Sequence, residues 1–409
     1  MHGTATGLTV FHARTYKAAR TPLNNNAVRV ALMTSKERRE ARYKRRKAER
    51  ERKRLLMLEK YNFEAVADLD NLYKAMLASR KGVWWKASVQ RYDMNYLRRI
   101  LQTRKDLLAG KDIRKGFYHF CTAERGKKRY ISSVHFTERV IQKSFCTNAL
   151  VPHLLRTLIH DNGASIKGKG IHFALKRMKT HLTKHYKQHG TNGYVLLIDF
   201  SNYFGNIRHD VLLSIYKRAF GEDTRLYWLA ELFVKAFGDE GLGLGSETSQ
   251  VSAVAYTNKI DHFIKEVLRL IFAHYMDDNY FLFLMKLAAR HTLNVLSEKY
   301  EQHGIVTKPE KINIVKLSQG FTFLKAHFSL TDTGRVVIRP GRKSITRQRQ
   351  KLKKFKKLHI SGKMTLHEIR AGYMSWRGYI LHFNSKRTVY NMDALYMRLF
   401  GVHPMQKLK

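Results

Sequence analysis

The run Gly193-Tyr194-Val195-Leu196-Leu197-Ile198 is apolar, β-branched and aromatic, which predicts a buried strand with Asp199 at its C-terminal end. A second apolar stretch, Leu270 to Ala273, is followed across Tyr275-Met276-Asp277-Asp278 by Tyr280 to Leu284, which predicts a β-hairpin with Asp277 and Asp278 at its tip. Residues 62–120 carry helical spacing instead: Leu72, Tyr73, Met76 and Leu77 recur at core intervals, and Leu97, Ile100 and Leu101 mark a later helix. Trp84-Trp85 lies between them and reads as a packing pair in preference to a base-stacking one. Near the C-terminus, Ile345, Leu352 and Phe355 predict one apolar face on a helix from Arg342 to Lys357. Thr365-Leu366-His367-Glu368 has capping-box form and predicts a further helix with Leu366, Ile369, Tyr373, Trp376 and Ile380 inward.

Between the two acidic elements, Gly241, Gly243 and Gly245 alternate ahead of Ser246-Glu247-Thr248-Ser249-Gln250, a flexible loop entering a helix. Amides at such a helix start suit phosphate, although the string taken alone also reads as a plain turn. Asp199 beside Asp277 and Asp278 is a donor set for metal-assisted phosphoryl chemistry, because a carboxylate ionised at a buried strand end is costly without a cation. Phe200, Tyr203 and Phe204 follow Asp199; they read as core aromatics or as rings that gate a nucleotide.

Charge points to the partner. Lys and Arg number 77 against 32 Asp and Glu, a net +45 that favours a polyanion over many contacts. No apolar run approaches the ~20 residues needed to span a bilayer, so a membrane partner is not expected. Two cysteines, Cys121 and Cys146, supply neither a disulfide framework nor a zinc set and fit a reducing cytoplasm. The charge is concentrated: Lys36 to Arg54 holds twelve basic residues and four Glu without an apolar stripe. It reads as a solvated helix or a disordered arm that binds RNA rather than only aiding solubility. Arg342 to Lys357 adds nine basic residues and no acid. Residues 1–32 are weakly patterned, and Met33 offers an alternative start.

Taken in order, these segments resemble the prokaryotic reverse transcriptases of the retron, group II intron and diversity-generating retroelement group. Arg129-Tyr130-Ile131 with Glu138 to Gln142 looks like the first fingers motif, and Lys167-Gly168-Lys169-Gly170-Ile171-His172 like the second. Asp199 to Phe204, the glycine loop, Tyr275 to Asp278, Pro309-Glu310-Lys311 and Gly320 to Lys325 follow in the family's order. The resemblance implies an α+β right-hand polymerase: a basic arm over 1–60, fingers over 61–192, a palm over 193–335 and a helical thumb over 336–409. No endonuclease or RNase H domain is expected.

It further implies RNA-templated DNA synthesis from dNTPs on a DNA or RNA primer. Asp199, Asp277 and Asp278 would hold two Mg²⁺ ions, with Mn²⁺ as a substitute, and Lys311 would donate a proton to pyrophosphate. Arg129, Lys167 and Lys169 would contact phosphate, Phe204 would exclude a ribose 2′-hydroxyl, Leu244, Gly245 and Gln250 would shape the nucleotide floor, and Phe323, Leu324 and Lys325 would form the primer grip. The aliphatic Leu244 ahead of Gly245, with Ser249-Gln250 closing the loop, is similar to diversity-generating enzymes and implies relaxed base selection and a small basic accessory protein. His274 stands where Arg is usual, and Lys325 where Gly is usual. A standalone defence or retron-type synthase and a non-catalytic RNA-binding scaffold are the alternatives.

Overall fold

The computed structural model describes residues 34–406 apart from 125 and 126. The expectations for residues 1–32 and Met33 lie outside the described residues. Of the two readings for the basic arm, a helix is what forms: Ser35–Lys60 is continuous and buries no residue. Exposed pairs such as Glu40–Lys44 (2.9 Å) and Glu49–Lys53 (3.3 Å) link successive turns. Each such pair contributes only ~0.3–0.5 kcal/mol, so the helix rests on local propensity and charge rather than packing.

Residues from Lys60 onward form a second unit. It opens with helices Phe63–Ala67, Leu69–Arg80, Ala87–Asp93 and Tyr96–Leu108, the first two capped by Asn62 and Asp68 side chains that accept from backbone amides. Leu72, Ala75 and Met76 pack with Tyr92, Ile100 and Val140. The sequence expectation is right for Leu72, Met76 and Ile100, and Leu77 packs against the same cluster while partly buried; it is corrected for Tyr73, Leu97 and Leu101. Tyr73 lies on the flank of that stripe, 39% exposed and 5.5 Å from the Tyr96 ring. The last helix buries Ile100, Thr103 and Leu107, which turns Leu97 and Leu101 outward. Trp84 and Trp85 do not pack: each is 66% exposed.

A hairpin follows, β1 (Phe117–Glu124) against β2 (Lys127–Val134), whose first strand takes over the last four residues, 117–120, of the stretch expected to be mostly helical. Its residues are mostly exposed on both faces, so no alternation of apolar and polar positions announced it.

The centre is an antiparallel sheet of β3 (Tyr194–Ser201), β4 (Ile271–Tyr275), β5 (Asp278–Phe283), β6 (Val306–Thr307) and β7 (Asn313–Lys316). Its order is β4-β5-β3, with β6 and β7 sharing the free edge of β3. Period two splits the strands between two cores. Leu196, Ile198, Phe200, Phe272 and Phe281 face the larger one, beneath helices that include His209–Phe220, Thr224–Lys235 and Glu247–Tyr256. Val195, Tyr280 and Leu282 face the other, with helix Ile171–His189 and a second sheet of β8 (Phe321–Phe323), β9 (Ala326–Leu330) and β10 (Val336–Pro340). Burial of each large side chain contributes ~1.5–3 kcal/mol, so both faces resist displacement of β3 and β5.

Helices Arg342–Ile360, Leu366–Leu381 and Lys386–Phe400 close the chain around Leu352, Ile369, Tyr373, Met392 and Tyr396. The capping box predicted at Thr365 and Glu368 is present, with both reciprocal bonds made. Asp393 ties two of these helices together, accepting from Tyr373 Oη at 2.6 Å and from Arg377 Nε at 3.0 Å. The class is α+β, as the sequence indicates. Among the described residues no helix is long and apolar enough to cross a membrane.

Candidate active site

Strand register brings the acidic residues together. Asp199 on β3 pairs directly with Asp278 on β5. Directly opposed residues project to the same face, here the one that carries Val195, Tyr280 and Leu282, with Cβ atoms ~4.5–5.5 Å apart. The two carboxylates therefore sit in each other's field where apolar packing ends. Burial, with Asp277 and Asp199 nearby, pushes the Asp278 carboxyl up to about 7 against the opposing pull of Lys311 and Lys325.

Asp277 occupies the turn between β4 and β5. Met276 before it takes a φ of 58°, uncommon for a non-glycine residue. The turn is anchored from the core side through both carbonyls: His274 Nε2 donates to Met276 O at 2.5 Å, and the Phe200 amide donates to Asp277 O at 3.1 Å. His274 Nδ1 lies 3.0 Å from Asp261 Oδ2 and 3.1 Å from Thr257 Oγ1. A carbonyl on one side and a carboxylate on the other both accept, so the ring carries two protons. Burial acts to lower its pKa, but the Asp261 carboxylate prevails and raises it. The cation expected of an arginine at this position is thus supplied by an imidazolium.

Two lysines hold Asp199. Lys311 Nζ donates to Oδ2 at 2.6 Å, and Lys308 Nζ lies 3.3 Å from Oδ1. Oδ1 is nevertheless buried without a hydrogen-bond partner. The bond to Asp199 raises the Lys311 pKa over the opposing cost of burial. Among the described residues no three His, Cys, Asp or Glu side chains form a ready metal cluster. Oxygen donors are present, but Asp199 is turned to its lysines.

A cavity of about 810 Å³ opens over these groups. Asp199, Asp277, Asp278 and Lys311 line it, together with Arg129 from β2 and Phe323, Leu324 and Lys325 from the β8–β9 turn. Leu324 and Lys325 both take positive φ, 46° and 65°, in a two-residue turn that is ordinarily left to Asn and Gly. Lys167 and Gln250 line an adjoining cavity of about 720 Å³, and Ser165 borders both.

The remaining predicted residues lie in neither cavity. The Lys169 ammonium donates to the carbonyls of His160 (2.7 Å) and Asn162 (2.9 Å) and faces the Phe173 ring, and burial lowers its pKa. That commits it to the backbone rather than to phosphate. Phe204 packs on the larger core, edge-on to Tyr203 at 6.0 Å, while its carbonyl accepts from the Leu242 amide. Leu244 accepts from the Ser132 amide at 3.0 Å. Gly245 has φ 115°, and a Cβ there would lie 2.9 Å from Ile131 Cγ2, so only glycine lets the loop sit on β2. Glu138, Gln142 and Ser246 join in a buried chain, Gln142 Nε2 to Glu138 at 3.0 Å and Ser246 Oγ to Gln142 Oε1 at 2.9 Å. The segment Glu138 to Gln142 therefore supports the glycine loop. Sequence reasoning missed Lys308 and the Asp261 partner of His274; only the repeat of Lys three residues before Lys311 offered a signal for the former.

The reverse transcriptase (RNA-dependent DNA polymerase) family pattern matches residues 112–328, which include all three carboxylates. No curated protein matches the sequence. Among solved structures, telomerase from Candida albicans in complex with a fragment of telomeric RNA is similar at a TM-score of 0.45 and 11% identity, over 69% of this chain and 60% of that one. Apo telomerase from Candida tropicalis, truncated from the C-terminal domain, gives 0.42 and 13% over 54% of each. This chain spans 60% or less of the length of these proteins.

Proposed function

The chain belongs to the reverse transcriptase (RNA-dependent DNA polymerase) family, and we propose from that premise that it is an RNA-directed DNA polymerase, extending a DNA or RNA primer with dNTPs on an RNA template. The observation that carries the reading is the single cavity lined by Asp199, Asp277, Asp278, Lys311 and the β8–β9 turn. Within the α+β right-hand fold, residues 61–192 would act as fingers, 193–335 as palm and 336–409 as thumb.

The donor set fits hard divalent cations. It offers carboxylate oxygens alone, one of them the buried Asp199 Oδ1, which accepts no hydrogen bond, and the Asp278 carboxyl, whose pKa burial and then its negative neighbours raise, the latter an effect that a cation would offset. Asp199 and Asp277 would hold two Mg²⁺ ions, with Asp278 assisting; bound there, they would activate the primer 3′-hydroxyl and stabilise the leaving pyrophosphate. Asp199 must first leave its lysines. Lys311, released, brings an ammonium beside the departing phosphate, a proton donor as negative charge develops there. Arg129 adds a fixed cation on the fingers side, and Lys325 one on the grip side, each favouring phosphate in the cavity. Phe204 would limit the space beside the ribose from behind the glycine loop.

Leu244 supports a finer reading, a diversity-generating retroelement enzyme with relaxed base selection. Its aliphatic side chain offers the nucleotide no hydrogen bond. A small basic accessory protein would then be a partner. Leu244→Gln should lower misincorporation opposite template adenine; an unchanged error spectrum sinks this subgroup. The polymerase reading itself is tested by primer extension on a defined RNA template with Mg²⁺, expected in the wild type and lost in Asp277→Asn.

A further inference from the structure

We propose that Trp84 and Trp85 form a stacking site for an unpaired RNA strand, outside the catalytic cavity. The segment Lys81 to Lys86 turns at Gly82, φ 77°, between helices Leu69–Arg80 and Ala87–Asp93. Both indoles are 66% exposed. An aromatic of this size ordinarily buries 150–250 Å², and two adjacent ones left in solvent forgo that gain unless a planar ligand covers them.

Three observations favour a nucleic acid as that ligand. The first is charge: from residue 80 to 105 there are eight Lys and Arg against one acid, Asp93, which is already paired with Arg80 at 2.7 Å. The second is shape. Trp84 walls a cavity of about 630 Å³ with Met94 and Val89 as apolar surfaces and Gln90, Arg80 and Asp93 as polar edges, a combination that takes a base face and a base edge. Lys86 Nζ lies over the Trp85 ring, 5.6 Å from its centroid, and so puts a cation at the ring for the phosphate of an incoming nucleotide. The third is continuity. Helix Leu69–Arg80 borders this cavity through Leu77 and Arg80, and through Lys74 and Ala78 it borders the cavity that holds Lys167 and Gln250. A strand leaving the nucleotide side would cross one helical face to reach the tryptophans. That the strand is template rests on the polymerase reading above; the stacking site does not.

The test measures affinity of the full chain, as Asp277→Asn to remove catalysis, for a 12-nucleotide single-stranded RNA across a salt series. Trp84→Ala with Trp85→Ala should weaken binding by about tenfold or more, as loss of base stacking does, and leave the salt slope unchanged. Lys81→Ala with Lys86→Ala should instead flatten the slope. Trp84→Phe with Trp85→Phe should restore most of the affinity, which separates stacking from misfolding. Unchanged affinity in the double alanine variant overturns the site. So does a change confined to binding of anionic vesicles, which would make the patch a membrane contact. Because no extension is required, a wild type that binds RNA through these rings but never extends a primer defeats the polymerase reading alone.

Discussion

His274 and Asp261 form an ion pair inside the core, 3.0 Å from Nδ1 to Oδ2, behind the turn that carries Asp277. The other nitrogen of the same ring holds the Met276 carbonyl. One imidazolium thus neutralises a buried carboxylate and fixes the backbone of the turn that carries Asp277.

His274→Leu should remove both. It leaves Asp261 charged and unpaired, which costs about 3–5 kcal/mol, readable as a lower denaturation midpoint in urea. The pair also has a definite pH sign. His274 has a raised pKa in the folded state, so its contribution is complete below the ordinary histidine range near 6.5 and fades as pH rises through the folded value. The stability gap between wild type and variant should therefore narrow on going to alkaline pH. A gap that widens there would show that the ring is neutral.

Asp278 has the opposite consequence from an ordinary surface acid. Its folded pKa of about 7 lies above the usual 3.8, so the folded state holds the proton more tightly, and stability falls as pH climbs between those values. With no divalent cation added, Asp278→Asn should exceed the wild type by about 2–4 kcal/mol at pH 8, since a tenfold change in proton affinity is worth ~1.4 kcal/mol. At pH 4 the two should agree. Adding Mg²⁺ should stabilise the wild type more than the variant.

Lys325 stores strain in the β8–β9 turn. Lys325→Gly removes the Cβ at φ 65° and should raise stability by about 1 kcal/mol in thermal unfolding. It also removes a cation that acts on Asp278 from across the cavity. Primer–template affinity should fall with the same substitution, a gain in stability paired with a loss in binding. If both rise, the lysine has no part in the site.

The acidic centre was legible because each piece is local. A strand that ends at Asp199 and a hairpin that turns at Asp277 are written in consecutive residues, and the antiparallel pairing that joins them follows from the alternation of Val195, Leu197 and Asp199 with Tyr280 and Asp278. What was hidden depends on partners distant in sequence. Lys308 reaches Asp199 across more than a hundred residues, and nothing near His274 marks Asp261 as its counter-ion. The Trp84-Trp85 pair was misread for a different reason: size argues for burial unless a surface has another use for the rings. The β1–β2 hairpin was missed because a ribbon exposed on both faces has no periodicity to show.

The central claim is that Asp199, Asp277 and Asp278 form one reaction centre from two adjacent strands. The most direct measurement is single-turnover addition of one dNTP to a primer annealed on RNA, with Mg²⁺, for the wild type and each Asp→Asn variant, alongside primer–template affinity. Rates at least a thousandfold lower for Asp199→Asn and Asp277→Asn, with affinity retained, are the predicted result. Addition at wild-type rate by either variant would place the chemistry elsewhere and contradict the account.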